Sequence, residues 1–110
     1  MFEKKLASYL NFKECVCVDS CTDALMIALE TKKLLRMIDK DNYILSVPKH
    51  TYLSVPMMLL RNGWNFKFDD RKWTKYYLLG HNVFDAAVEF SKNLGSQFAS
   101  IEECAVCISF

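Results

Sequence analysis

Three short segments carry residues whose types and spacing suit ligand chemistry. In Asp19-Ser20-Cys21-Thr22-Asp23, the hydroxyls of Ser20 and Thr22 stand where a helical pattern begins. The first N–H groups of a helix lack partners and the positive end of its dipole lies behind them, so a phosphate suits such a position. Ser20 equally suits the ordinary role of an N-cap. In Pro48-Lys49-His50-Thr51-Tyr52, the aromatic Tyr52 lies just beyond a strand-like run, where it either stacks on a flat ligand ring or packs into the core. Asp85, after Asn82-Val83-Phe84, is either a favourable first-turn charge or a carboxylate in an apolar setting that pairs with a protonated nitrogen.

The five cysteines raise metal chemistry as well. Cys15-x-Cys17 and Cys104-x-x-Cys107 together offer four thiolates, and such pairs are halves of many zinc sites. Residues 15 and 17 share a face of a strand, but 104 and 107 face opposite sides of one, so the pairs do not converge. No metal is expected, and the thiols read as reduced and buried, as in a cytoplasmic protein. Lys32, Lys33, Lys40, Lys49 and Lys92 fall on polar faces or loops and read as solvated charge, with Lys49 alone close enough to the second segment to meet an anion.

These segments need a scaffold. The chain has 110 residues, 52% of them hydrophobic and 25% charged, with 3 Gly and 2 Pro, which excludes disordered and collagen-like chains and leaves room for one domain. A net charge of +1 without basic clusters argues against nucleic acid as a partner. No run approaches the ~18 apolar residues of a membrane span, and the charged start Glu3-Lys4-Lys5 does not suit a signal peptide.

Apolar spacing predicts helices over residues 2–10, 22–37, 54–61 and from about 85 to 95. Strands are expected at 15–18, 43–47, 65–68, 76–79 and 104–110, the first covered on both faces. Asn11 is expected to close the first helix and Gly63 to follow the third. Strands alternating with helices imply an α/β fold with a mostly parallel sheet, and ligands then bind beyond the carboxyl ends of the strands. The ending on an apolar strand, Ala105 to Phe110, is unusual for a complete domain.

Taken in order, the segments resemble the start of the DegT/DnrJ/EryC1/StrS family of sugar aminotransferases. Cys17-Val18-Asp19-Ser20-Cys21-Thr22-Asp23-Ala24-Leu25 is similar to the family's strand and S-G-T-x-A-L phosphate turn, with Cys21 in place of the glycine. Val47-Pro48-Lys49-His50-Thr51-Tyr52-Leu53-Ser54 resembles the P-x-x-T-aromatic-x-A/S segment, and Asn65-Phe66-Lys67-Phe68-Asp69 the strand ending in V-D. Phe84-Asp85-Ala86-Ala87 resembles E-D-A-A, with Phe84 for the acidic residue and Val88 where the family has a Gln. Ile108-Ser109-Phe110 resembles the S-F that precedes the Schiff-base lysine.

The resemblance implies the first part of a fold-type I aminotransferase large domain that uses pyridoxal phosphate. Ser20, Cys21 and Thr22 would hold the cofactor phosphate, Tyr52 would stack on its ring, and Asp85 would pair with its protonated nitrogen. The parent activity moves an amino group from an amino-acid donor to a nucleotide-linked keto sugar. The catalytic lysine lies beyond S-F in the family, so this chain is expected to be truncated before it. The alternative is a non-catalytic remnant or split-gene subunit. A homodimer or a complementary chain is the expected partner.

Overall fold

The computed structural model describes residues 2–109 and shows a mixed α/β chain. Helix α1 spans Phe2–Leu10, with Leu6, Ala7 and Leu10 buried at helical spacing. Asn11 ends it in a left-handed conformation, φ 63°, as its position after the last apolar turn predicts. Helix α2 spans Cys21–Leu34 and buries Leu25 and Leu29. Strand β1, Leu45–Pro48, ends on the proline, and α3, Ser54–Arg61, places its own proline in the first turn, where a missing N–H costs nothing. Gly63 follows α3 with φ 75°.

Strand β2, Phe66–Asp69, pairs in parallel with β1, Leu45 opposite Phe66 and Pro48 opposite Asp69. A second sheet contains β3, Tyr77–Gly80, β4, Val83–Ala86, and β5, Ala105–Ile108, in the order β3-β4-β5. The β4–β5 pair is parallel, but β3 runs antiparallel to β4. His81 and Asn82, with φ 45° and 61°, form the two-residue turn between them, the left-handed pair that matches strand twist in hairpins. The two sheets abut at Gly80, where a Cβ would stand 2.7 Å from Leu45 Cδ2. The main core gathers Leu25, Leu29, Leu45, Val47, Leu59 and Leu79 from both sheets and two helices, and a smaller cluster joins Leu6, Leu10, Phe84, Leu94 and Phe98.

Two expected elements are absent. Among the described residues no strand pairs with 15–18; the Cys17 N–H donates instead to Glu3 Oε2 at 2.7 Å, and Val16 is 77% exposed rather than covered on both faces. Nor does a helix begin at Asp85. The run Val83-Phe84-Asp85-Ala86 is buried throughout, and pairing with β5 on one side and β3 on the other overrides the helical spacing of Ala86, Phe90 and Leu94. Leu94–Phe98 is a short 3₁₀ helix. Gly95 is not a helix terminator but a point of close approach, since a Cβ there would lie 2.2 Å from the Asn11 carbonyl oxygen. The final expected strand is shorter than 104–110, and Phe110 lies outside the described residues.

Candidate functional site

Asp85 sits inside β4, between two neighbouring strands, and is 3% exposed. Burial of a carboxylate requires hydrogen-bond donors around it. Tyr77, opposite Asp85 in the β3–β4 register, donates its hydroxyl to Asp85 Oδ2 at 2.8 Å. The Ala87 N–H donates to Oδ1 at 3.0 Å, and the Cys21 thiol reaches the same oxygen at 3.8 Å. Thr51 Oγ1 lies 2.7 Å from the Tyr77 hydroxyl oxygen. A phenol has one proton, and Tyr77 spends it on Asp85, so Thr51 is the donor in that second bond.

Tyr77 is itself held by its neighbours. Trp73 tilts over its ring at 4.9 Å between centroids, and the Arg71 guanidinium lies 5.4 Å from it. Arg71 is fixed by Asp69 at 3.2 Å and by the Ser46 carbonyl at 2.6 Å. Burial, opposed by the Thr51 hydrogen bond and reinforced by Asp85, holds the Tyr77 hydroxyl well above the usual phenol range. Burial, with the Asp85 charge adding, pushes the Cys21 thiol up to about 12. Cys107, beside Asp85 in the β4–β5 register, is pushed up in the same way by burial, Cys21 and Asp85. All three groups therefore remain protonated at neutral pH, as a buried anion requires of its neighbours.

The start of α2 faces this carboxylate. Ser20, with an extended backbone, accepts the Asp23 N–H on its Oγ at 3.1 Å and the Ala24 N–H on its carbonyl at 3.0 Å, an N-cap. The amides of Cys21 and Thr22 come before the first intrahelical bonds and have no acceptor within the helix. Thr22 Oγ1 bonds Ser54 Oγ at 3.2 Å, so the first turns of α2 and α3 meet here. Two positive dipole ends thus converge near one buried carboxylate. Cys21 does not need the conformational freedom of glycine, because its φ is not positive.

A cavity of about 220 Å³ lies at this junction, lined by Cys21, Thr22, Tyr52, Ser54, Asp85 and Ser109, with Leu25 and Val55 as apolar walls. Four of the five residues singled out from the sequence therefore share one space. Tyr52 is 59% exposed, so it lines the cavity rather than filling the core. Ser20 does not line this cavity but a neighbouring cleft of about 550 Å³, bounded by residues 14–20, by β5 and by the flank of α2. All five cysteines line that cleft, each a free thiol. Among the described residues no three His, Cys, Asp or Glu side chains converge on a point that would hold a metal ion, and no helix is long and apolar enough to cross a membrane. Lys49 pairs with Asp70 at 2.8 Å and does not line the cavity.

Sequence reasoning overlooked Thr51, Ser54, Tyr77 and Ser109 as parts of this site. Ser54 carries a local signal, a hydroxyl at the start of a helical pattern. Tyr77 carries none, because its contact with Asp85 exists only once β3 folds back on β4.

No curated protein and no solved structure matches this chain. One family model does match, from residue 1 to residue 92, and so includes the α2 turn, the Tyr52 segment and Asp85 but not Ile108-Ser109-Phe110. The chain belongs to the DegT/DnrJ/EryC1/StrS aminotransferase family.

Proposed function

We propose that the cavity between α2, α3 and β4 is a pyridoxal phosphate site, and that the chain serves the family's amino transfer from an amino-acid donor to a nucleotide-linked keto sugar. The observation that carries this reading is the meeting of Cys21, Thr22, Tyr52 and Asp85 around one space. The donor set suits a phosphorylated pyridine. The amides of Cys21 and Thr22 and the hydroxyls of Thr22 and Ser54, at two helix N-termini, bind the phosphate, with the Ser20 cap fixing the turn that presents them. Tyr52 covers one face of the ring and excludes water from it. Asp85 holds a proton at the pyridine nitrogen, in a setting where burial strengthens the attraction. Bound there, pyridoxal phosphate supplies an electron-accepting ring that eases loss of a proton from the amino donor.

The reading includes a reducing, cytoplasmic setting, supported by the five free thiols. A second reading, a non-catalytic subunit that completes its site with a complementary chain or a second copy, is favoured by one observation. None of the described residues that line the cavity is a lysine.

Pyridoxamine phosphate tests the site without reacting with surface lysines, and its binding is followed by fluorescence. Saturable binding is expected, weakened roughly tenfold by Asp85→Asn and by Thr22→Val, the scale of one hydrogen bond to a charged group. Absence of saturable binding at millimolar ligand would overturn the assignment. Turnover of a keto sugar by this chain alone, with an amino donor and pyridoxal phosphate, would rule out the non-catalytic reading.

A further inference from the structure

We infer that Tyr77 is the positioning residue of this site, one hydroxyl that fixes both the carboxylate of Asp85 and the turn that carries Tyr52; the inference rests on the reading of the cavity as a pyridine site. The turn at His81 and Asn82 aligns Gly80 with Val83, and a bulge between Leu78 and Gly80 then shifts the ladder by one residue, which sets Tyr77 opposite Asp85. Tyr77 is 4% exposed, with its ring braced by Trp73. Its oxygen therefore has little freedom to move. The proton of Thr51 goes to Tyr77 and the proton of Tyr77 goes to Asp85, a one-way chain of two bonds of 2.7 and 2.8 Å. Such chains strengthen each member by polarisation.

The geometry has a consequence for the carboxylate. An ionised carboxylate offers about four acceptor positions. The Ala87 amide, the Tyr77 hydroxyl and the Cys21 thiol take three of them. One position remains for a donor in the cavity, and Tyr77 holds the group in the orientation that presents it. The outer link does the same for the other wall, because Thr51 is the chain neighbour of Tyr52.

Titration of the whole chain with pyridoxamine phosphate, read by fluorescence and by the NMR signal of the ligand's ring nitrogen, tests this role. Tyr77→Phe keeps the ring against Trp73 and removes both hydrogen bonds; binding is expected to weaken roughly tenfold, and the ring nitrogen to lose part of its protonation. Thr51→Val is expected to weaken binding roughly threefold and to move the nitrogen signal the same way, and Thr51→Ser, which keeps the hydroxyl, to restore both. A residue that merely supports the fold would lower stability without moving the nitrogen signal of the bound ligand.

Wild-type affinity and an unchanged nitrogen signal in Tyr77→Phe, with binding still weakened in Asp85→Asn, would overturn the positioning role and leave the site standing. Failure of the wild-type chain to bind would overturn the site and the role together. If Tyr77→Phe does not fold, the Thr51 pair decides, since equal nitrogen signals in Thr51→Val and Thr51→Ser would overturn the role.

Discussion

The cavity at Asp85 and the cleft beside β5 are neighbours separated by Cys21, which lines both, yet they are built on opposite terms. Around Asp85 the polar groups are matched: Asp85 with Tyr77, Ala87 and Cys21, and Tyr77 with Thr51, while Thr22 and Ser54 pair at the exposed rim. In the cleft the backbone is only partly paired, with the Cys17 N–H held by the Glu3 side chain. Strand β5 pairs on one side only, residues 15–18 have no strand partner, and Val16 lies in the open. A matched polar network holds groups in one geometry, as a binding site requires, because losing any bond strands a buried donor or acceptor. Apolar chain without a ladder has no such constraint, so substitutions there are felt weakly.

The contrast is broken most directly at Asp85. Replacing it by Ala removes the acceptor of the part-buried Ala87 amide, leaves the Tyr77 hydroxyl only Thr51 as a partner, and is expected to cost about 3 kcal/mol of folding stability. Urea unfolding followed by tryptophan fluorescence measures this, and a midpoint equal to that of the wild type would show that the network carries no stability.

The thiols of the two regions differ in reactivity. Cys17 is exposed in the cleft, whereas Cys21, pushed up to about 12, and the buried Cys107 hold their protons. Iodoacetamide at pH 8, with mass-spectrometric mapping, is expected to modify Cys17 at least about a hundredfold faster than either, since only the thiolate reacts. Equal rates would mean that the cavity wall opens freely.

The same groups give the cavity a pH limit. Cys21, Cys107 and Tyr77 are all raised in the folded chain, so the folded state holds protons that the unfolded state releases. Their contribution is complete below the ordinary thiol value of 9.0 and is lost as pH rises from there toward 12. The melting temperature is expected to stay level from about pH 7 to 8.5 and to fall from about pH 9 to 11, with a shallower fall in Cys107→Ser. A level profile to pH 11 would contradict the burial of these groups. The smallest effect is expected in the cleft itself, where Val16→Ser should change stability by less than about 0.5 kcal/mol. A loss several times larger, in the same urea titration, would show that residues 15–18 are packed after all.

Local pattern read three of the four expected helices, α1, α2 and α3. The spacing of Leu6 and Leu10, and of Leu25 and Leu29, marked α1 and α2, and the Ser20 hydroxyl before an apolar run marked the start of α2. Cys15 to Val18 read as a buried strand for the right local reason, apolar β-formers in a row, but a strand exists only with a partner and none stands beside it. Asp85 read as a helix start because Ala86, Phe90 and Leu94 repeat at helical spacing. Spacing alone cannot register that β3 and β5 flank the residue.

Residue types and spacing alone set the local choices: two helix starts with hydroxyls, an aromatic beyond a strand end, an α/β alternation and the family's order of motifs. The surroundings of Asp85 come from packing. Its thiol neighbour lies 64 residues away along the chain, and the Thr51–Tyr77 bond spans 26. Contacts at such separations form when elements pack; of the groups that bond the buried carboxylate only the Ala87 amide is a sequence neighbour, while the Tyr77 hydroxyl and the Cys21 thiol arrive on other elements.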